Sequence, residues 1–143
     1  MGSIDHYLDA SFLVALLTAE RASPRAVGFV SAHPANLIVS DFAAAEFPSA
    51  ISRRVRMGQT PRFEAQLILA AFDRWMLTAA GSVEMMPIDV ALAASFLRRL
   101  DLVLRTPDAL HIAMSQRLAA TLTTFDQRMA AAARSLGIAV VEP

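Results

Sequence analysis

The chain has 143 residues, no cysteine, and 13 acidic and 13 basic residues, so its formal net charge is +0. This length suits one domain with one core that needs no disulfide. A neutral chain has no overall positive field to attract nucleic acid, so any such contact must come from a local patch. All 13 basic residues are arginine, and the absence of lysine excludes a P-loop and a Schiff-base mechanism.

Hydrophobic residues make up 55% of the chain and the mean hydropathy is +0.45, which is high for a monomer of this size. We therefore expect some apolar surface to be buried against a partner. No apolar run approaches the roughly 18 residues that a transmembrane helix needs. The lack of cysteine also fits a reducing compartment. The sequence thus predicts a soluble cytoplasmic protein without a membrane segment.

The first half of the chain alternates short apolar strands with helical patterns. It predicts strands at 4–8 and 37–39 and helices at 12–20, 24–32 and from residue 41 onward. Ser11 and Ser40 stand before the first and third of these helices as N-caps. Pro48 lies inside the third helix, where its missing N–H predicts a kink or a break that shortens the helix.

The second half continues the alternation. Its predicted helices are 61–80, 89–100, 107–119 and 127–136, and its predicted strands are 83–88, 121–125 and 138–141. Asp89 is expected to cap one helix, and Thr106 with Pro107 gives a cap followed by a first-turn proline. Strands separated by helices need crossover connections. Residues 1–143 are therefore expected to form a single α/β domain with a mainly parallel sheet flanked by helices.

Four carboxylates lie among residues too apolar for ordinary solvated acids. Asp9 and Asp126 end predicted strands, and Glu46 and Asp108 lie on or near apolar helix faces. In a parallel sheet the strand ends share one edge, so these acids can converge. Clustered oxygen ligands favour Mg²⁺ or Mn²⁺, ions that serve phosphoryl chemistry. Without metal, converging carboxylates repel, so at least one should have a raised pKa. The pattern predicts a metal-dependent nuclease.

Each acid also has a structural interpretation. Glu46 can be a solvated side chain on an alanine-rich face. Asp108 can stabilise the first turn of its helix through the helix dipole, and Asp9 and Asp126 can simply occupy a turn or a cap. His111 can orient Asp108, but a hydrogen-bonded structural role is favoured.

Arg53, Arg54 and Arg56 form the densest basic run in the chain. They could hold an RNA backbone. Arginines near the end of a helix also complement its C-terminal dipole, and this second interpretation is favoured.

Four segments together resemble the PIN-domain ribonucleases, most closely the VapC toxins of bacterial toxin–antitoxin pairs. Residues 7–11 (YLDAS) are similar to the opening strand, first acid and hydroxyl residue of that family, and residues 40–46 (SDFAAAE) to its second acidic motif. Residues 108–113 (DALHIA) are similar to its third motif, the most specific of the four, and residues 123–126 (TTFD) to its fourth. The likeness covers almost the entire chain.

The resemblance implies a PIN-like three-layer α/β/α fold and a sequence-selective endoribonuclease. It implies that Asp9, Glu46, Asp108 and Asp126 are the catalytic residues and hold Mg²⁺ or Mn²⁺. It further implies a homodimer silenced by a cognate antitoxin whose tail covers the site. The chain departs from the family at Pro48, and it has no further acid within two residues of Asp126. The second departure leaves open whether one ion or two are bound.

Two other functions remain open. The chain can be a catalytically silent binding module of the same fold that engages a partner protein through its apolar surface. It can also be an aspartyl-phosphate enzyme with Asp9 as nucleophile, but Ser11 stands where a second acid is usual, and no lysine exists to pair with the phosphate. We therefore rank the aspartyl-phosphate enzyme last.

Overall fold

The computed structural model describes residues 2–143. In this range five parallel strands form one sheet in the order β3-β2-β1-β4-β5. The strands are β1 (His6–Leu8), β2 (Leu37–Ser40), β3 (Gly81–Val83), β4 (Thr121–Thr123) and β5 (Val140–Val141). The helices are α1 (Ala10–Leu17), α2 (Ser23–Ala32), α3 (Asp41–Arg56), α4 (Arg62–Thr78), α5 (Pro87–Leu97), α6 (Thr106–Arg117) and α7 (Gln127–Ser135).

The central strand β1 separates two apolar cores, because successive side chains of a strand point to opposite faces of the sheet. Tyr7 belongs to the core that contains residues of α5, α6 and α7. Leu8 belongs to the core that contains residues of α1 to α4. Both side chains are fully buried. The predicted three-layer fold with a parallel central sheet is therefore confirmed.

Several helix starts differ from the predictions. Helix α6 begins at Thr106 itself, so Thr106 is its first residue and not its cap, and Asp89 lies at the third position of α5 rather than before it. Helix α1 is capped by Asp9 rather than Ser11, since the Asp9 carboxylate accepts the N–H of Phe12 at 3.0 Å. The predicted strand at 83–88 is misplaced, because β3 spans Gly81–Val83 and α5 begins at Pro87. Proline suits the first helical position, where no N–H partner is needed.

Helix α3 runs without a break through Pro48, so the predicted break that shortens this helix is wrong. Ser40 caps its start by accepting the N–H of Ala43 at 3.0 Å. Phe47 and Ile51, on either side of the proline, are buried in the core. Their burial offsets the cost of roughly 3 kcal/mol for a proline inside a helix. None of the helices in residues 2–143 has the length and apolar character needed to cross a bilayer.

Candidate active site

Asp9 directly follows the central strand and is 1% exposed. Its Oδ1 accepts the N–H of Phe12 at 3.0 Å and the hydroxyl of Ser11 at 2.8 Å, and its Oδ2 accepts the hydroxyl of Thr124 at 2.6 Å. These partners are neutral donors, and no arginine within residues 2–143 forms an ion pair with Asp9. The structure therefore holds a buried carboxylate without a neighbouring cationic side chain bound to it.

Burial raises the pKa of the Asp9 carboxyl, because a charge is poorly solvated inside the protein. The hydrogen bonds from Thr124, Phe12 and Ser11 act in the opposite direction, and so does His111 when its imidazole is protonated. The expected rise in the pKa of one acid is present, but its leading cause is burial rather than repulsion between acids. A bound cation would stabilise the charged form of this group.

Glu46, on α3, is held by a chain of buried hydrogen bonds. Its Oε1 lies 2.5 Å from Nε2 of His111, whose Nδ1 lies 2.7 Å from the Tyr7 hydroxyl. The Tyr7 hydroxyl lies 2.7 Å from Oγ of Ser40. Burial raises the pKa of Tyr7, so this hydroxyl keeps its proton. His111 thus orients Glu46 and not Asp108, the partner considered from the sequence.

One assignment of the protons satisfies the hydrogen-bonding needs of every polar atom in this series of hydrogen bonds. Ser40 accepts the N–H of Ala43 and donates its own proton to Tyr7, and Tyr7 donates to Nδ1 of His111. His111 then carries its proton on Nε2 and donates it to Glu46. The Glu46 side chain, 28% exposed, is fixed from the protein interior while part of it stays open to solvent.

Asp108 and Asp126 both cap helices. Asp108, at the third position of α6, accepts the backbone N–H of Arg105 at 3.2 Å through Oδ2. Asp126 precedes α7 and accepts the N–H groups of Arg128 and Met129 at 3.0 and 3.1 Å through Oδ1. The capping roles considered from the sequence are therefore real, and in both residues the other carboxylate oxygen makes no hydrogen bond within residues 2–143.

The structure links Asp126 to both Asp9 and Asp108, whereas Glu46 lines a separate cavity. Thr124 links Asp9 to Asp126, because its hydroxyl donates to Asp9 and accepts the N–H of Asp126 at 2.9 Å. Asp108 and Asp126 line one cavity of about 250 Å³. Glu46 lines a different cavity, of about 470 Å³. Over the described range 2–143, no three histidine, aspartate or glutamate side chains are arranged to hold a metal ion.

The cavity beside Glu46 is basic, because Arg53, Arg54 and Arg56 line it. Arg54 forms an ion pair with Glu20 at 2.9 Å, and Arg56 donates to Ser52 at 2.7 Å. Two of the three guanidinium groups therefore have protein partners.

The four acids offer only oxygen ligands, the donors that Mg²⁺ and Mn²⁺ prefer. Asp108, Asp126 and Glu46 each keep one oxygen free of hydrogen bonds within the described residues. The donor chemistry therefore suits a hard divalent cation. The coordination of one metal site by all four acids together remains a prediction from the sequence.

Ser40 was predicted only as a helix cap, and Tyr7 and Thr124 were noted only as parts of the family motifs, so their contacts within this site were not predicted. Tyr7, Ser40 and Thr124 tie the acids to the sheet, and all three are fully buried. Tyr7 lies two residues before Asp9, and Thr124 lies two residues before Asp126. This proximity was the only feature of the sequence that could have indicated their contacts with the site. The partnership of Glu46 with His111 spans 65 positions and has no local signal.

Comparison with known proteins gives the family. The family model for the PIN domain matches residues 6–135. The chain is 32% identical over 143 residues to Ribonuclease VapC46 of Mycobacterium tuberculosis, with 96% of each protein covered. The chain therefore belongs to the PIN-domain family and, within it, to the VapC proteins.

Solved structures agree on the fold. One is Mycobacterium tuberculosis VapC20, described as a sarcin–ricin loop cleaving toxin, which matches with a TM-score of 0.76 and 19% identity over 97% of this chain and 100% of that one. Another is VapBC2 of Rickettsia felis bound to a DNA fragment from its promoter, with a TM-score of 0.71 and 14% identity over 96% and 98% of the two chains. At these identities the likeness concerns the fold.

Proposed function

We propose that this protein is an endoribonuclease, the toxin of a toxin–antitoxin pair, that cleaves RNA phosphodiester bonds with water activated by Mg²⁺ or Mn²⁺. The observation that carries the proposal is Asp9, a buried carboxylate that only neutral donors satisfy at the edge where β1 and β4 end. Such a group costs free energy unless a cation compensates it. The 32% identity to a ribonuclease supports the same activity.

The proposed ligands of the ion are Asp9, Asp108, Glu46 and Asp126. When bound, a divalent ion supplies charge stabilisation at a phosphate oxygen and lowers the pKa of a water. The protein's part is to hold these carboxylates. Ser11 and Thr124 fix both oxygens of Asp9, and His111 fixes one oxygen of Glu46. Fixed ligands need little rearrangement during the reaction.

The proposed partners are an RNA substrate, a cognate antitoxin and a second copy of the chain. The antitoxin is supported by the family and by the similarity to VapBC2. A protein partner is also supported by large apolar side chains that stay exposed, among them Phe63, Leu67 and Leu77 on α4, at 68%, 64% and 83%. We further propose one domain over residues 1–143 and a cytoplasmic location.

The test is cleavage of a hairpin RNA by the purified protein in Mn²⁺ and in EDTA. Cleavage is expected only with Mn²⁺, and Asp9→Asn and Asp108→Asn should each lower it on the order of 10²-fold or more, since several kcal/mol of charge stabilisation are lost. Asp73→Asn, which changes an exposed acid of α4, is the matched control and should cleave normally. Full cleavage by both site variants would end the assignment.

A silent binding module is the second candidate, and one observation favours it. Within residues 2–143 the acids form no group of three suited to a metal, and Glu46 lines a cavity separate from that of Asp108 and Asp126. A module of this kind would bind the antitoxin and leave the hairpin RNA intact in Mn²⁺. The cleavage assay therefore separates the two functions.

A further inference from the structure

A shallow groove of about 580 Å³ lies between the loop that follows α5 and one face of α7. Val103 and Ala131 give it apolar walls. The Gln127 amide can donate and accept hydrogen bonds, whereas the Ser135 hydroxyl donates to the Ala131 carbonyl at 3.1 Å and can only accept from a ligand. Its volume falls within the range of roughly 300–1,000 Å³ that is typical of small-ligand sites. The groove therefore has room and chemistry for a flat, partly polar group such as a nucleobase.

The groove adjoins the cavity that contains Asp108 and Asp126. Val103 and Arg128 line both spaces, so Arg128 stands at their junction. Arg105 also lines the acid cavity, where its 81% exposed side chain lies 3.7 Å from Oδ2 of Asp108 and forms an ion pair with it. An extended ligand held at the acids can therefore continue past Arg128 into the groove.

The charges around the junction suit a phosphate. Arg128 is exposed and its guanidinium takes part in no ion pair in the range 2–143. A guanidinium binds phosphate oxygens through two parallel hydrogen bonds. Asp101, an acid in the groove lining, is paired with Arg99 at 3.1 Å, which offsets its repulsion of an anion.

We propose that this groove binds the nucleotide next to the scissile phosphate of the RNA. Arg128 binds the phosphate between the two sites, and the base lies in the groove against Val103 and Ala131 with its edge toward Gln127. The proposal rests on the proposed ribonuclease function and adds to it a subsite that can select one base. A segment of the antitoxin is the competing occupant.

The test measures binding of a fluorescein-labelled hairpin RNA by fluorescence anisotropy, in the Asp9→Asn background so that the RNA stays intact. Arg128→Gln should weaken binding on the order of tenfold and reduce the slope of log affinity against log salt by roughly 0.8, the value for one phosphate contact. Arg134→Gln is the matched control, because Arg134 lies on the same helix but binds Glu142 at 2.7 Å. It should leave the affinity and the salt slope nearly unchanged.

A second variant tests the base site. Ala131→Leu adds a larger side chain to an exposed helix position in the groove and should weaken binding several-fold without changing the salt slope. Ala91→Leu makes the same change at an exposed position of α5. It should bind RNA like the Asp9→Asn parent, which separates filling of the groove from a general effect of added apolar surface.

Three results would overturn the proposal. If the chain cleaves RNA but Arg128→Gln and Ala131→Leu bind it like the parent, the subsite is wrong and the ribonuclease function stands. If the two variants keep RNA affinity but no longer co-purify with the antitoxin, the groove serves the antitoxin. If the parent neither binds nor cleaves RNA, both the subsite and the proposed function fail.

Discussion

Two buried aspartates of this protein, Asp9 and Asp89, are each 1% exposed and differ in what surrounds them. Asp89 binds the guanidinium of Arg117 through both oxygens, at 2.7 and 2.9 Å, and also accepts the N–H of Met86. Asp9 accepts two hydroxyls and one N–H, all neutral. Burial alone therefore does not mark a functional acid. The informative feature is a buried charge that the surrounding side chains leave uncompensated.

The largest effect should come from two variants, one expected to lose stability but keep activity and the other to lose activity but keep stability. Arg117→Met leaves the Asp89 carboxylate buried and unpaired, and this should lower the free energy of unfolding by about 3 kcal/mol. Cleavage per folded molecule should persist. Asp9→Asn should do the opposite, losing cleavage while its melting temperature in EDTA stays at or above that of the parent, because a neutral amide avoids the cost of burying a charge.

Urea titration and an RNA cleavage assay on the same samples measure both quantities. Asp73→Asn controls for loss of an acid at an exposed position. Equal destabilisation by Arg117→Met and Asp9→Asn would contradict the distinction between the two aspartates.

Metal binding gives a second test of the difference between the two aspartates, since a cation should bind at Asp9 and not at Asp89. An ion that binds only the folded state stabilises it by about 2.7 kcal/mol at 100 times its Kd. Millimolar Mn²⁺ should therefore raise the melting temperature by several degrees, since 1 kcal/mol shifts a domain of this size by roughly 2–4 °C. Differential scanning fluorimetry should show this shift in Asp73→Asn and not in Asp9→Asn. An unchanged melting temperature in the parent would mean that the acids do not form a metal site.

Breaking the series of hydrogen bonds that joins Glu46, His111, Tyr7 and Ser40 should have a smaller effect on stability and cleavage. Tyr7→Phe removes the hydroxyl that joins His111 to Ser40. Leaving these buried groups without their partner should lower stability by about 1–2 kcal/mol. Since outer partners of metal ligands affect activity by roughly 10–100-fold, cleavage should fall by about tenfold at saturating RNA.

A control for this effect is Ser115→Ala on the same helix as His111, which removes a buried hydroxyl that donates only to the carbonyl of His111 at 2.9 Å. It should lower stability similarly with little change in kcat. Equal kcat values in the two variants would show that Tyr7 serves stability alone.

Local patterns explain what could be predicted. Short strands that alternate with helices indicated the parallel sheet. Asp9 could be placed at its edge because it directly follows β1, and Asp126 because it follows the predicted strand at 121–125, although β4 itself ends at Thr123. The start of α5 was misjudged because mostly apolar residues extend from Val83 to Ile88. Instead, Pro87 and the hydrogen bond that the Met86 N–H donates to Asp89 begin a helix there.

Contacts between distant positions explain what could not be predicted. Asp89 and Arg117 are 28 positions apart, and Glu46 and His111 are 65 apart. These pairings depend on how α5 and α3 lie against α6, and no local spacing encodes that. The sequence could therefore indicate which acids are unusual, but not which of them has a cationic partner.

The smallest expected effect is a pH dependence of stability without metal. Burial raises the pKa of Asp9 in the folded protein above its ordinary value of 3.8, so the folded state binds its proton more tightly than the unfolded state. The stabilisation from this group is fully present below the ordinary value and is lost as the pH rises through the folded pKa. Asp9→Asn has no such proton. In EDTA, the free energy of unfolding of the parent, measured by urea titration relative to Asp9→Asn, should therefore increase as the pH is lowered. A constant difference from acid to neutral pH would mean that Asp9 is not the uncompensated charge that distinguishes it from Asp89.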